Sequence, residues 1–129
     1  MAGTLVANTI NTDTGLFSTN NAYLGVAKAW VNFNPNSGTV IVNNTFNVSS
    51  VTRSSGGKYT VTFTTAMPNT TFVTQVTSGN GAGYWGYAPN IVSPTTGSIS
   101  VEISTVTAAS NTNPTYYDPQ IVNFAIFSS

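Results

Sequence analysis

Lys58 to Thr65 (KYTVTFTT) decides the fold: Tyr59, Val61 and Phe63 take every second position, with Thr60, Thr62 and Thr64 between them. In an extended strand successive side chains point to opposite faces, so this run has one apolar face and one wet face. Upstream, Thr45 to Thr52 (TFNVSSVT) reads as its partner, joined through Arg53-Ser54-Ser55-Gly56-Gly57, where glycine supplies positive φ for a hairpin turn. Working outward, strands are expected at Val26 to Phe33, Gly38 to Asn43, Thr71 to Thr77, Ser98 to Thr105 and Ile121 to Phe127. In Ser98 to Thr105, Ile99, Val101 and Ile103 alternate with Ser100, Glu102 and Ser104, which sends Glu102 to solvent as a solubilising edge charge. Proline-containing breakers at Asn34 to Gly38, Met67 to Asn69, Ala88 to Asn90, Ser93-Pro94 and Asn113-Pro114 fall between these runs. No stretch keeps the spacing of an amphipathic helix, and no repeat of solenoid length is visible. The expectation is an all-β chain: an antiparallel, jelly-roll-like β-sandwich over residues 26–129, preceded by an extended N-terminal arm over 1–25.

Charge narrows the function classes. The 129 residues carry only Lys28, Arg53 and Lys58 against Asp13, Glu102 and Asp118, with no histidine and no cysteine. A net charge of zero gives no basic stripe for a phosphate backbone, so nucleic acid is a poor partner. No run reaches the ~18–20 apolar residues of a membrane helix, and a secretory leader pattern is lacking, which reads as synthesis in the cytoplasm. A near-neutral surface tends to associate, which reads as an oligomer. Without histidine or cysteine no ordinary nucleophile and base pair can be written, and a glycosidase would need Asp13, Glu102 and Asp118 to converge from an arm, a strand and a loop. The expectation is a protein that is not an enzyme, with no catalytic residue, no metal site and no cofactor.

What remains are surfaces. Gly79-Asn80-Gly81-Ala82-Gly83 lacks the lysine of a phosphate loop and runs into Tyr84-Trp85-Gly86-Tyr87. Tyr84, Trp85 and Tyr87 read as an aromatic platform for a sugar or a protein, and Tyr116-Tyr117, between Pro114 and Pro119, as a second. Burial in the core or a subunit interface is the commoner fate of such clusters. Trp30, among Ala27, Ala29 and Val31, reads as core. In the arm, Leu5, Val6 and Ile10 are the apolar positions that would add as a strand to the edge of another subunit.

Three runs carry a resemblance: Ala27 to Phe33 (AKAWVNF), Phe46 to Thr52 (FNVSSVT) and Gly57 to Asn69 (GKYTVTFTTAMPN). Together they resemble a domain that recurs in virion proteins of tailed bacteriophages, tail fibres among them, many from phages of cyanobacteria and other marine bacteria. Thr4 to Ile10 (TLVANTI) is similar to N-terminal segments of such proteins. The resemblance implies a non-enzymatic virion component, a homotrimer whose β-domain points outward while the N-terminal segment docks on other virion proteins. It supplies no catalytic or receptor-contact motif. The expected role is a short tail fibre or receptor-binding head for host attachment, offering uncharged polar loops to a host surface glycan. The chain shows no heptads and no fibre shaft, so a capsid decoration or cement protein clamping coat subunits through its arm is the alternative. A small polysaccharide hydrolase stands third.

Overall fold

The computed structural model describes residues 9–12, 15–18, 23–35, 38–79, 87–105 and 115–128; for the first two segments and for residues 87 and 105 it describes the backbone alone. These residues are predominantly β and the sheets are antiparallel. The strands are β1 (Thr9–Thr12), β2 (Gly15–Ser18), β3 (Ala29–Asn34), β4 (Ile41–Phe46), β5 (Val48–Ser55) and β6 (Lys58–Phe63). They continue with β7 (Val73–Gly79), β8 (Tyr87–Val92), β9 (Ser98–Thr105), β10 (Thr115–Tyr116) and β11 (Ile121–Phe127). One helical turn spans 23–25.

Within the first 25 residues, β1 and β2 pair with each other as a two-stranded sheet. A second sheet sets β5, β6 and β9 side by side, and β9 pairs on its other edge with β8. Short β10 continues the β6 edge of β9, opposite Thr105 and Ser104. The third sheet has the order β4-β3-β11-β7.

Alternation builds the interior. Ala29, Val31 and Phe33 of β3 and Val122, Phe124 and Ile126 of β11 are buried in one cluster with Tyr59, Val61 and Phe63 of β6 and Ile99, Val101 and Ile103 of β9. The Phe33 and Tyr59 rings, one from each large sheet, meet edge to face at 5.3 Å. Each large side chain removed from water here contributes roughly 1.5–3 kcal/mol, which is what holds the two sheets to a common core.

Several expectations shift. The run Thr45 to Thr52 is two strands rather than one, because Asn47 takes φ 53° between β4 and β5 and passes the chain from the third sheet to the second. Its side chain secures the corner: Oδ1 accepts from the Thr65 amide at 2.7 Å, and Nδ2 donates to the carbonyls of Lys28 (3.0 Å) and Thr65 (3.1 Å). Asparagine tolerates the left-handed region better than most residues, and its amide here replaces the ladder bonds that the corner breaks. Ala88 to Asn90, read as a breaker, lies inside β8, with Pro89 opposite Ile103. Proline is admissible there because β8 borders its sheet, where a missing N–H can face away from the neighbour. Glu102 is not on an edge: β9 is flanked by β6 and β8.

Asn47→Ala should destabilise the fold by about 2–4 kcal/mol, through lost hydrogen bonds and an unsupported left-handed residue. Asn47→Gly should cost less, since glycine adopts positive φ freely. Urea unfolding of both variants checks this, and equal losses would show that the backbone conformation contributes nothing.

Candidate functional site

The outward face of the β4-β3-β11-β7 sheet is assembled by the same parity that buries its inner face. With Ala29, Val31 and Phe33 inside, Trp30, Asn32 and Asn34 must point out, and so must Ile121, Asn123, Ala125 and Phe127 of β11. Register then lines residues into rows across the strands. One row is Phe46, Trp30, Ala125 and Gln75. The next holds Asn32, Asn123 and Thr77, joined at the β4 bulge by Asn43.

That second row is one hydrogen-bonded chain. Asn43 Nδ2 donates to Asn32 Oδ1 at 2.7 Å, Asn32 Nδ2 donates to Asn123 Oδ1 at 2.6 Å, and Asn123 Nδ2 donates to Thr77 Oγ1 at 3.3 Å. The small side chain of Ala125, between Trp30 and Gln75, leaves a groove of about 310 Å³. Trp30 and Gln75 flank it, and Asn32, Asn123 and Thr77 run alongside. Trp30 was expected in the core. It is instead half-buried and lines this groove, because both of its strand neighbours are core residues and the pleat turns it the other way. None of the six charged residues lies on any of these four strands.

A second cluster sits where the β5–β6 hairpin meets the segment after β10. Asp118, 17% exposed, accepts from Arg53 Nη2 at 2.7 Å, from Arg53 Nε at 3.0 Å, from the Gly57 amide at 2.9 Å and from the Tyr59 hydroxyl. Burial pushes its carboxyl upward, but the Arg53, Gly57 and Tyr59 hydrogen bonds outweigh that and hold it below the usual carboxylate range. Burial and the adjoining carboxylate drive the Tyr59 hydroxyl upward, so it stays a donor. Beside this, Lys58 and Glu102 pair at 3.0 Å, and the Tyr116 hydroxyl donates to Glu102 at 3.2 Å. The Lys58 ammonium also stands 4.1 Å from the Tyr116 ring centroid. Glu102 is therefore no free solubilising charge. The Lys58 hydrogen bond, against a smaller effect of burial, holds its carboxyl below the ordinary value. Gly57, at φ 66°, closes the hairpin where any Cβ would come within 2.4 Å of the Ile103 carbonyl oxygen.

No protein-family model, curated protein or solved structure matches the chain. Of the residues singled out from the sequence, Tyr84 and Trp85 lie outside the described residues, as do Leu5 and Val6. Tyr87 begins β8 and Ile10 lies in β1 opposite Phe17, each described by its backbone. Tyr116 is half-buried and committed to Glu102 and Lys58, whereas Tyr117 is 49% exposed. The groove was missed because Trp30 was judged by its hydrophobicity; the alternation of Ala29, Val31 and Phe33 was the signal that could have found it. Among the described residues no group of three or more metal-ligating side chains occurs.

Because the folded Asp118 titrates below its unfolded value, the stability it contributes is complete above about pH 5 and is lost as pH falls through the unfolded and then the folded pKa. Asp118→Asn is expected to cost about 1–3 kcal/mol at neutral pH. It should also flatten the decline in stability between about pH 5 and about pH 2, measured by urea unfolding at each pH. An unchanged acid limb would remove Asp118 from that role.

Proposed function

We propose that this chain is a bacteriophage virion structural protein, a short tail fibre or receptor-binding head that attaches to the host surface without chemistry of its own. In this reading the two large sheets form a jelly-roll-like sandwich and the N-terminal segment is an arm that docks on other virion proteins. The domain acts as a homotrimer. The observation that carries the reading is the outer face of the β4-β3-β11-β7 sheet, whose strands carry no charged residue and where Trp30 lines a groove beside a continuous row of amides and a hydroxyl. Such a face binds by shape and hydrogen bonding. A trimer multiplies modest single-site affinity when its sites engage together. Tyr117, exposed beside the β5–β6 hairpin, would be a separate point of contact.

Two details support a non-enzymatic role. Glycoside hydrolysis of the usual kind needs one carboxyl kept protonated, whereas Asp118 and Glu102 are each held ionised by a paired cation. Both carboxylates are also engaged in tying the hairpin to its neighbours.

The capsid decoration reading keeps one specific support. β4 ends its sheet, all six of its residues are exposed, and it carries neither charge nor proline, with Ile41 and Phe46 more than half exposed. An edge of that kind is open to strand addition by another chain.

Quantitative mass spectrometry and antibody labelling of purified phage particles separate these readings. Fibre-level copy number, labelling at the tail and antibody inhibition of adsorption are expected; one copy per coat subunit spread over the head would transfer the protein to capsid decoration. Light scattering of the purified chain should give the mass of three subunits, and a monomer would remove the avidity argument.

A further inference from the structure

We propose that the groove between Trp30 and Gln75 is a binding site for a neutral, hydroxyl-rich glycan segment that lies across the strands, along the amide row. A sugar ring would rest over Ala125 against Trp30, with its hydroxyls on Asn32, Asn123 and Thr77.

Three features select this ligand class. The first is hydrogen-bond capacity. Asn32 and Asn123 each spend one N–H and one oxygen lone pair on the row and retain one of each. An apolar protein surface closing over them would leave such groups unpaired, at a cost that apolar contact does not recover, whereas a sugar hydroxyl rotates to serve as donor or acceptor. The second is spacing. The row crosses four strands, a run of roughly 14 Å at the usual separation of neighbouring strands, long enough for a short saccharide chain rather than a single ring. The third is charge. β3, β4, β7 and β11 carry no Lys, Arg, Asp or Glu, and Lys28, just before β3 and beside Phe46, spends its ammonium on the Tyr23 carbonyl and ring, so a uronate, sialate or phosphate group over the groove finds little to offset its desolvation. Trp30 adds an apolar surface of the kind that C–H faces of sugar rings cover.

The inference deepens the attachment reading and rests on it only for the source of the glycan. The test is isothermal titration calorimetry on the full, unmodified chain. Titration with neutral hexasaccharides of the malto, cello, laminari and manno series should give a saturable heat change for at least one series, while oligogalacturonate and oligosialate give none. Ala125→Leu fills the groove from an outward position and should weaken that binding about tenfold or more, as should Asn123→Ala, with thermal unfolding close to the parent's. A flat response to every neutral series at millimolar concentration overturns the site. Equal binding of the acidic oligomers overturns the ligand class. If Ala125→Leu instead dissociates an oligomer and leaves sugar binding unchanged, the face is a contact between copies of the chain and the proposal fails. Adsorption to host cells that survives both substitutions would remove this site and leave attachment standing; sugar binding by a chain not found on the virion would do the reverse.

Discussion

Burial of alternate residues on β3, β6, β9 and β11 is the constraint from which the rest of the molecule follows. The interior cluster takes Ala29, Val31 and Phe33 from one strand and Val122, Phe124 and Ile126 from its neighbour. Once those are inside, a pleated backbone leaves no choice for Trp30, Asn32, Asn123 and Ala125, which must share the opposite face. The groove and the amide row are thus by-products of core formation, held in place by a ladder of main-chain bonds rather than by a loop. Side chains placed on paired strands are better fixed in position than side chains on loops, and a preorganised surface loses less entropy on binding.

The same economy governs charge. Four of the six charged side chains are gathered where the β5–β6 turn meets β9 and the segment around Asp118. There they act as fasteners: Asp118 accepts from the Gly57 amide, the Arg53 guanidinium and the Tyr59 hydroxyl, and so joins a turn, an edge strand and a core ring. Isolated surface pairs add little to stability, but a largely covered carboxylate with several donors is costly to disturb, above all by loss of Arg53, which carries its counter-charge. Concentrating charge at one corner leaves the strands β4, β3, β11 and β7 without a charged residue.

How much of this was legible in the sequence depends on whether local pattern and tertiary role agree. Ser98–Thr105 and Ile121–Phe127 read correctly to the residue, and β6 nearly so, because strict alternation and a buried face coincide there. The hairpin turn was legible in Gly56-Gly57, since only glycine fits at Gly57. Asn47 was not legible as a corner: its flanking residues, Phe46 and Val48, continue a strand pattern, and only the hydrogen bonds to Lys28 and Thr65, distant in sequence, reveal the break. Pro89 misled in the opposite direction, because proline forbids a central strand but not a bordering one, and position within a sheet is a tertiary fact. Glu102 misled for the same reason: alternation turned it outward, but nothing local announced Lys58 opposite it or Tyr116 beside it.

The candidate site shows the asymmetry most sharply. Trp30, Asn32, Asn43, Thr77 and Asn123 span most of the chain, and each alone is an ordinary strand residue. Antiparallel register brings four of them into one hydrogen-bonded row and sets Trp30 beside it, so the chemistry belongs to the pairing of strands rather than to any motif. A row of neutral dipoles also behaves differently from a charged patch. It exerts no long-range pull on a ligand, but its contacts carry almost no Coulomb component for dissolved salt to screen, so their strength is nearly independent of ionic strength. For the multivalent attachment proposed above, that insensitivity would be worth more than the faster encounter a charged face would provide.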